Sequence, residues 1–287
     1  GQVGMALLGS ALIDGLLVVL ACVVLALVLR FLTLRPSSRR SWVNDNKRHA
    51  WVDYHGEEVT IRNVRDFNWR TTRDYDERWI DMTFPLDQVS KVWLVLEYFE
   101  PKARFMAHTI LSFEFEDGRR VACSIEVRRT AGMQYSPVKG VMRQFELIYV
   151  WATERDVIGV RTRCRRHSET HLLEAVVKGK GNERRLFESY LRRTNKLYDN
   201  PEWYNTVTST CTTNIVRHVN EVYPGRIPPA LAILLPGLSP GMLKRKHLIK
   251  LDGPLADTMK NSIIDAKGQA WDGESDFGQF IRGPLPA

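Results

Sequence analysis

The chain has 287 residues, a formal net charge of +8 and four cysteines. This length is enough for one sizeable domain or two small ones. The basic residues are scattered in pairs without a recognisable reading motif, so we expect no nucleic-acid partner. The cysteines lack CxxC or other metal-binding spacing, and there is no glycine-rich phosphate loop or dinucleotide fingerprint. We therefore expect no metal and no cofactor.

The N-terminal segment is predicted to be a transmembrane helix. From Gly15 to Leu29 every residue is apolar or glycine, within a longer stretch of low charge. Such a stretch is long enough to cross a bilayer as a helix. A cleaved signal peptide is disfavoured because no basic region precedes the apolar run. Attraction to anionic lipid beside this anchor accounts for the net positive charge, and we expect the phospholipid bilayer to be a partner.

The composition divides the chain into four segments. We expect a transmembrane helix over residues 1–34, a basic and aromatic linker over 35–54, a catalytic domain over 55–267, and a loosely held glycine- and proline-rich tail over 268–287. Taken alone, the basic linker would place this end of the helix in the cytoplasm by the positive-inside rule.

The middle of the chain is predicted to contain strands followed by two helices. Apolar patterns predict strands at 59–65, 92–99, 145–151, 157–163 and 170–177. Helical spacing predicts one long helix from Asn182 to Tyr198 and a second that begins at Cys211. This order indicates an α+β domain with a mostly antiparallel sheet. The apolar run Ala230–Leu235 packs over the sheet, dips into the membrane interface or forms a wall of an acyl-chain groove.

Residues 107–128 are predicted to form a β-hairpin. Both arms alternate apolar and polar residues, and Asp117-Gly118 marks the turn. A two-residue loop would mix apolar and charged side chains on one face, whereas a three-residue loop with left-handed Gly118 separates them. We therefore expect an apolar face that consists of Leu111, Phe113, Phe115, Val121, Cys123, Ile125 and Val127.

The same register predicts a polar face with a candidate general base. It places His108 directly opposite Glu126 as a cross-strand pair. A histidine that faces a carboxylate supplies the base and the orienting group that nucleophilic catalysis requires. The other polar side chains on this face are Ser112, Glu114, Ser124 and Arg128.

Cys211 is the candidate nucleophile. It follows a polar loop and begins a predicted helix, for which Ser209 or Thr210 is the expected N-cap. The positive end of the helix dipole favours a thiolate in the first turn. The simpler alternative is that Cys211 is a small buried hydrophobic residue. The apolar stripe of this helix comprises Ile215, Val219 and Val222.

Seven motifs in order carry a resemblance to a known family. They are Ala107-His108-Thr109, Ser124–Arg128, Tyr135-Ser136, Phe145–Tyr149, Glu154–Asp156, Pro201–Asn205 and Cys211–Asn214. Through them the chain resembles the bacterial membrane-anchored family that includes the lipoprotein N-acyltransferase Lnb. Two positions depart from the family pattern: Thr210 stands where an asparagine is usual, and Gln134 where an acidic residue is common.

The resemblance implies a permuted papain-like thiol enzyme, in which the histidine precedes the cysteine in the sequence. Carried over, His108 would be the base and Cys211 the nucleophile, with Glu126 from the hairpin argument as the orienting residue. The domain would be periplasmic and anchored in the inner membrane, against the charge of the linker. The residues implied to contact substrate are Ser124, Arg128, Tyr135, Tyr149, Tyr204 and Asn205.

The function that we expect is therefore that of a membrane-tethered thiol acyltransferase. Cys211 would take an acyl chain from a phospholipid as a thioester and pass it to an amine, with the N-terminus of a lipoprotein as the expected acceptor. One alternative is a cysteine amidase or peptidase that acts on cell-wall or peptide amide bonds. Another is a catalytically inactive module that binds lipid or protein.

Overall fold

The computed structural model describes residues 2–37, 39–102, 107–228 and 240–285. Its first element is the long helix α1, Gln2–Thr33. Over Ile13–Thr33 the mean hydropathy is 2.9, and none of this stretch is buried against the rest of the protein. The helix is therefore long and apolar enough to cross a membrane, as the sequence predicts.

Ten strands lie between α1 and the second long helix, α4. The strands are β1 Trp51–His55, β2 Glu58–Arg65, β3 Asn68–Trp69, β4 Tyr75–Asp76, β5 Trp79–Pro85, β6 Val89–Tyr98, β7 Ala107–Phe115, β8 Arg120–Arg128, β9 Glu146–Ala152 and β10 Glu169–Glu174. The helices after α1 are α2 Pro137–Val141, α3 Glu154–Val157, α4 Asn182–Asp199, α5 Cys211–Val222, α6 Pro240–Arg245, α7 Leu255–Asn261, α8 Asp265–Ala270 and α9 Phe277–Arg282.

Eight strands form one mixed sheet in the order β1-β2-β9-β8-β7-β6-β10, with β5 paired to β2. All neighbours in this sheet are antiparallel except β2 and β9, which pair in parallel. Strands β3 and β4 form a separate small ribbon. The prediction of an α+β chain with an N-terminal apolar helix and a mostly antiparallel sheet is confirmed.

The hairpin β7–β8 has the predicted register. Phe113 pairs with Val121, the loop spans residues 116–118, and Gly118 has a φ of +83°. Only a residue without Cβ adopts this left-handed conformation cheaply. The pleat therefore sends the expected apolar side chains to one face of the sheet, where they join the main core.

Helices cover both faces of the sheet, which explains why few sheet residues are exposed. The main core lies between one face and helices α4 and α5, which contribute Phe187, Tyr190 and Ile215 among others. A second core lies on the opposite face, where Ile110 and Ala122 pack with residues of α3 and α9. The face that the sequence predicts to be polar is thus also buried.

Two of the predicted segments differ from the structure. Residues 157–163 are not a strand: α3 ends at Val157, and a π-helical turn, Val160–Cys164, follows it. Their apolar residues recur too closely to distinguish a short buried strand from helical turns. The predicted loose tail contains α9, whose Phe277 and Ile281 are buried in the second core. Glycine and proline content alone did not reveal this packing.

The predicted linker is also attached to the domain. Ala50 and Val52 are buried in the main core, and β1 begins at Trp51, so the folded body starts before residue 55. Further upstream, Val43 donates its backbone N–H to the carbonyl of Arg129 at 3.0 Å. Residues 41–54 therefore belong to the folded domain and do not form a free linker.

A buried ion pair fixes α3 to the start of the sheet. Asp156 accepts hydrogen bonds from the guanidinium of Arg65, the backbone N–H of Phe67 and the indole N–H of Trp69, at 2.7–3.1 Å. Both charged side chains are almost completely buried. Removing one partner of such a pair leaves the other as an uncompensated charge in the interior.

We predict that Asp156→Ala lowers the free energy of unfolding by about 3–5 kcal/mol, because it leaves Arg65 buried without its carboxylate. Urea unfolding of the full-length protein in detergent, followed by tryptophan fluorescence, measures this change. The control is Asp81→Ala, which removes a half-exposed partner of Arg62. We expect the control to cost less than about 1 kcal/mol. Equal losses in the two variants would contradict the prediction.

Candidate functional site

Cys211 is the first residue of α5, as the sequence predicts. Thr210 is the N-cap: its hydroxyl accepts the N–H of Thr213 at 3.2 Å, and the Thr213 hydroxyl accepts the N–H of Thr210 at 2.7 Å. This reciprocal capping box satisfies two backbone donors at the start of the helix. Thr210 therefore supplies the capping contact at the position where the family usually has asparagine.

Backbone N–H groups surround the sulfur of Cys211. Those of Thr109, Thr212 and Cys211 itself all favour a negative charge on the sulfur. Burial acts in the opposite direction and is the larger effect, so the pKa of the Cys211 thiol is raised above its ordinary value. The expectation of a resting thiolate is therefore wrong, because the helix dipole does not compensate for the loss of solvent.

The contact with Thr109 places the sulfur at an opening in the sheet. The N–H of Phe115 points toward β8, where it donates to Arg119, and every second residue back to Thr109 points the same way. Paired residues of β7 and β8 end, however, at Ile110 and Ser124. Beyond that pair, β7 stays with β6 and β8 stays with β9. The N–H of Thr109 lies near the Cys211 thiol at this point and acts to lower its pKa.

His108 is held beside this opening by a serine. Its Nε2 lies 2.8 Å from the hydroxyl oxygen of Ser124, which donates its proton to Glu126, also at 2.8 Å. A hydroxyl has one proton, so Ser124 accepts from the Nε2–H of His108. This arrangement assigns the neutral imidazole with its lone pair on Nδ1. Burial, followed by the charge of Arg161, lowers the pKa of His108 to about 4.

Glu126 reaches His108 through Ser124 and does not form the predicted direct pair. The ladder ends at Ile110 and Ser124, two residues before His108 and Glu126 would face each other, so the imidazole contacts the diagonal neighbour Ser124 instead. Burial favours the neutral form of the Glu126 carboxyl, but the charges of Arg65 and Arg161 outweigh it and lower its pKa to about 2. Glu126 is therefore an ionised acceptor.

A charged cluster that the sequence did not reveal surrounds this relay. Glu97 lies opposite His108 on β6 and is completely buried. It accepts hydrogen bonds from Arg161 at 2.9 Å and from Arg165 at 2.6 and 2.8 Å. Arg161 also contacts Glu126 at 3.4 Å. Two carboxylates and two guanidinium groups thus hold His108 in a fixed electrostatic field.

The side chains of His108 and Cys211 approach the opening from opposite faces of the sheet. His108 shares its face with Ile110, which packs in the second core, whereas Cys211 packs against the main core. His108 hydrogen-bonds to Ser124. The thiol of Cys211 instead lies near the backbone N–H of Thr109, the residue that follows His108. Direct contact between the imidazole and the thiol stays a prediction.

The predicted substrate contacts occupy very different positions. Ser124, Arg128 and Tyr149 are almost completely buried, and Tyr204 is mostly buried. Arg128 donates to the carbonyl groups of Asn46 and Lys47, which ties the linker to the sheet.

The remaining candidates lie in or near the loop before Cys211. Asn205 accepts the N–H groups of Val207 and Thr208 and so shapes this loop. Tyr135 is 47% exposed. Of the six predicted substrate contacts, Tyr135 is thus the most accessible, while the buried ones support the site from within.

Two buried polar residues near Cys211, His218 and Ser189, were not predicted from the sequence, and they connect to Tyr149. The Tyr149 hydroxyl lies 2.8 Å from Nε2 of His218, whose Nδ1 lies 2.6 Å from the hydroxyl of Ser189. This chain joins β9, α5 and α4. Among the described residues, the buried Tyr190 hydroxyl is one of the side-chain groups without a hydrogen-bond partner. The Cys211 thiol is close enough to influence its pKa.

An apolar cavity runs along α5 below Cys211. Its walls come from the sheet, from α4 and from the stripe of α5 that the sequence predicts, and they expose almost no polar surface. Its lining includes Leu111, two residues after Thr109, and Ile215, one turn after Cys211. The predicted groove-forming run Ala230–Leu235 lies outside the described residues.

Comparison with known proteins identifies a family. Residues 75–235, more than half of the chain, match the model described as the Lnb N-terminal periplasmic domain. No curated protein and no solved structure matches the chain. The matched range includes His108, Ser124, Glu126 and Cys211. The chain therefore belongs to the family of the Lnb N-terminal periplasmic domain, and its N-terminal apolar helix fits a membrane anchor for such a domain.

Proposed function

We propose that this protein is a membrane-tethered thiol acyltransferase with Cys211 as the nucleophile. The observation that carries the proposal is the opening between β7 and β8, where the sulfur of Cys211 meets the N–H of Thr109, the residue next to His108. On the other face, Ser124 and Glu126 hold His108 with the lone pair of Nδ1 available. A thiol, a base and an orienting relay are the parts that nucleophilic acyl transfer requires.

In the first half-reaction, Nδ1 of His108 accepts the thiol proton of Cys211 across the opening, directly or through one water. The sulfur attacks the carbonyl carbon of a phospholipid ester and forms a tetrahedral oxyanion. The bond from this carbon to the glycerol oxygen then breaks, and the leaving oxygen takes the proton from His108. The products are a lysophospholipid and a thioester on Cys211.

In the second half-reaction, an amine attacks the thioester carbonyl. His108 accepts a proton from the amine, the carbon–sulfur bond breaks, and the proton passes to the sulfur. The products are an amide and the free thiol of Cys211. We propose the N-terminus of a lipoprotein as the acceptor and the periplasmic face of the inner membrane as the location, which the family match and α1 support.

The apolar cavity along α5 favours an acyl chain over a peptide as the group that Cys211 carries. A thioester on the sulfur would direct its first methylenes toward Leu111 and Ile215, in walls with almost no polar surface. A peptide there would lose its water without gaining hydrogen bonds. An acyl chain gains about 0.8 kcal/mol for each CH₂ that it buries.

We predict that the full-length protein in phospholipid vesicles acquires one acyl group on Cys211. Intact mass spectrometry and peptide mapping detect the adduct, and Cys211→Ala abolishes it. Cys164→Ala, which changes another partly buried cysteine, leaves it unchanged. Turnover of peptidoglycan or peptides without an adduct would instead indicate an amidase or peptidase. Neither adduct nor turnover would indicate an inactive binding module.

We predict that Ser124→Ala slows formation of the adduct by about 10²-fold or more, since His108 loses the group that fixes its tautomer. The control is Ser112→Ala. Ser112, in the neighbouring strand β7 and on the same face of the sheet, is also fully buried and donates to Glu154 at 2.6 Å. Stopped-time mass spectrometry gives both rates. Equal rates for the two variants would mean that Ser124 only fills space and would contradict the relay.

We predict that acylation of Cys211 loses its base as the pH falls through about 4, the lowered pKa of His108. Protonated imidazole cannot accept the thiol proton, so the rate declines below this pKa and stays constant between there and neutrality. The rate of adduct formation between pH 3.5 and 7.5, at constant ionic strength, tests this. A decline centred near 6.5 would show a solvent-exposed histidine and contradict the buried relay.

A further inference from the structure

Exposed apolar side chains are concentrated on one surface of the domain. Outside α1, the described residues include ten large apolar side chains that are exposed, and five of them lie on α2, beside it, or in the loop before Cys211. Val138 is 70% exposed, and the other four are 41–49% exposed. We call this surface the α2 patch: Tyr135, Val138, Val141, Met142 and Val207. The other five are scattered, so this concentration indicates an interaction site.

The α2 patch is attached to the end of the membrane helix. Arg143, the residue after Met142, donates a hydrogen bond to the carbonyl of Phe31 at 2.9 Å, and its guanidinium lies 4.3 Å from the Phe31 ring centre. Phe31 belongs to the last turn of α1. A cation at this position also suits the negative end of the helix dipole. The patch therefore lies at the level where α1 leaves the bilayer.

The same surface is connected to the loop that leads to Cys211. The Thr206 hydroxyl donates to the carbonyl of Pro137 at 2.8 Å. A Cβ on Gly140 would lie 2.1 Å from the Thr206 hydroxyl oxygen, so glycine is required for α2 and the loop to approach this closely. Val207, the next residue in the loop, completes the patch. Movement of α2 would therefore displace the loop before Cys211.

Charge identifies the occupant of this surface. The segment after α1 carries Arg35, Arg39 and Arg40, and α2 with the residues beside it carries Lys139 and Arg143. The sequence has no acidic residue between Asp14 and Asp45, and none between Glu126 and Glu146. An apolar centre with a basic rim suits the headgroup and acyl boundary of an anionic bilayer. A protein partner would not require continuity with the end of a membrane helix.

We propose that the α2 patch is a membrane-docking surface that inserts into the interfacial layer of the same bilayer that α1 crosses. It holds the loop before Cys211 against the lipid, so that the opening in the sheet faces the membrane surface. The proposal depends on α1 as an anchor and on the contacts of Arg143 and Thr206. It does not depend on which reaction Cys211 performs.

The test is photochemical cross-linking of the full-length protein in vesicles of phosphatidylethanolamine and phosphatidylglycerol. Benzoylphenylalanine replaces Val138 in one sample and Tyr54, a 46% exposed residue of β1, in the control. Peptide mass spectrometry after irradiation is expected to show at least about tenfold more lipid adduct at 138 than at 54. Equal labelling would overturn the proposal, and so would a protein in place of lipid at 138.

A second experiment tests the patch as a unit. With the photoreactive residue at Val207, the double change Val138→Asp and Met142→Asp is expected to reduce lipid adducts at least about fivefold, because charge disfavours insertion. Tyr54→Asp adds one negative charge away from the patch, against two in the double variant, and is expected to have no effect. No loss in the double variant would overturn the proposal. Neither readout requires acyl transfer, so its outcome is independent of the proposed function.

Discussion

The structure of the site depends on one local event, the separation of β7 from β8 beyond the pair Ile110 and Ser124. Up to that pair, two strands exchange ordinary ladder hydrogen bonds. Beyond it, the N–H of Thr109 lies near the thiol of Cys211 and acts to lower its pKa, and His108 hydrogen-bonds to Ser124. An unpaired buried N–H is costly, so a helix N-terminus that brings an acceptor to it stabilises the opening. The candidate nucleophile is therefore part of the structure of the sheet.

Electrostatics then determine which protonation states occupy the opening. Burial alone would leave Glu126 neutral, but arginines from β2 and from the π-helical turn keep it ionised. Burial, together with the charge of Arg161, lowers the pKa of His108 and keeps it neutral, and burial keeps Cys211 a thiol. The resting site thus differs from an ion pair of thiolate and imidazolium. A neutral pair retains a base with a free lone pair and delays charge separation until a carbonyl is present to receive the electrons.

Much of the fold could be predicted because its signals are local. The alternation of residues 107–128 with Asp117-Gly118 determines the register of the hairpin, and helical spacing places Cys211 at the start of α5. The direct pairing of His108 with Glu126 failed because the end of a ladder depends on tertiary contacts, which pleat parity does not encode. Arg161 was missed for the same reason, since its π-helical turn resembles a strand in sequence. The role of Ser124 depends on a diagonal contact that appears only once the strands separate.

Short connections link the end of α1 to the loop before the opening. Arg143 joins the end of α1 to α2, and Thr206 joins α2 to the loop that ends at Cys211. Each connection is a hydrogen bond of 2.8–2.9 Å. A tether that merely raised the local concentration of lipid would need no such contacts, because a flexible linker achieves that effect. Contacts that fix orientation are useful only if the direction of the opening matters, as it would for the phospholipid substrate that we propose.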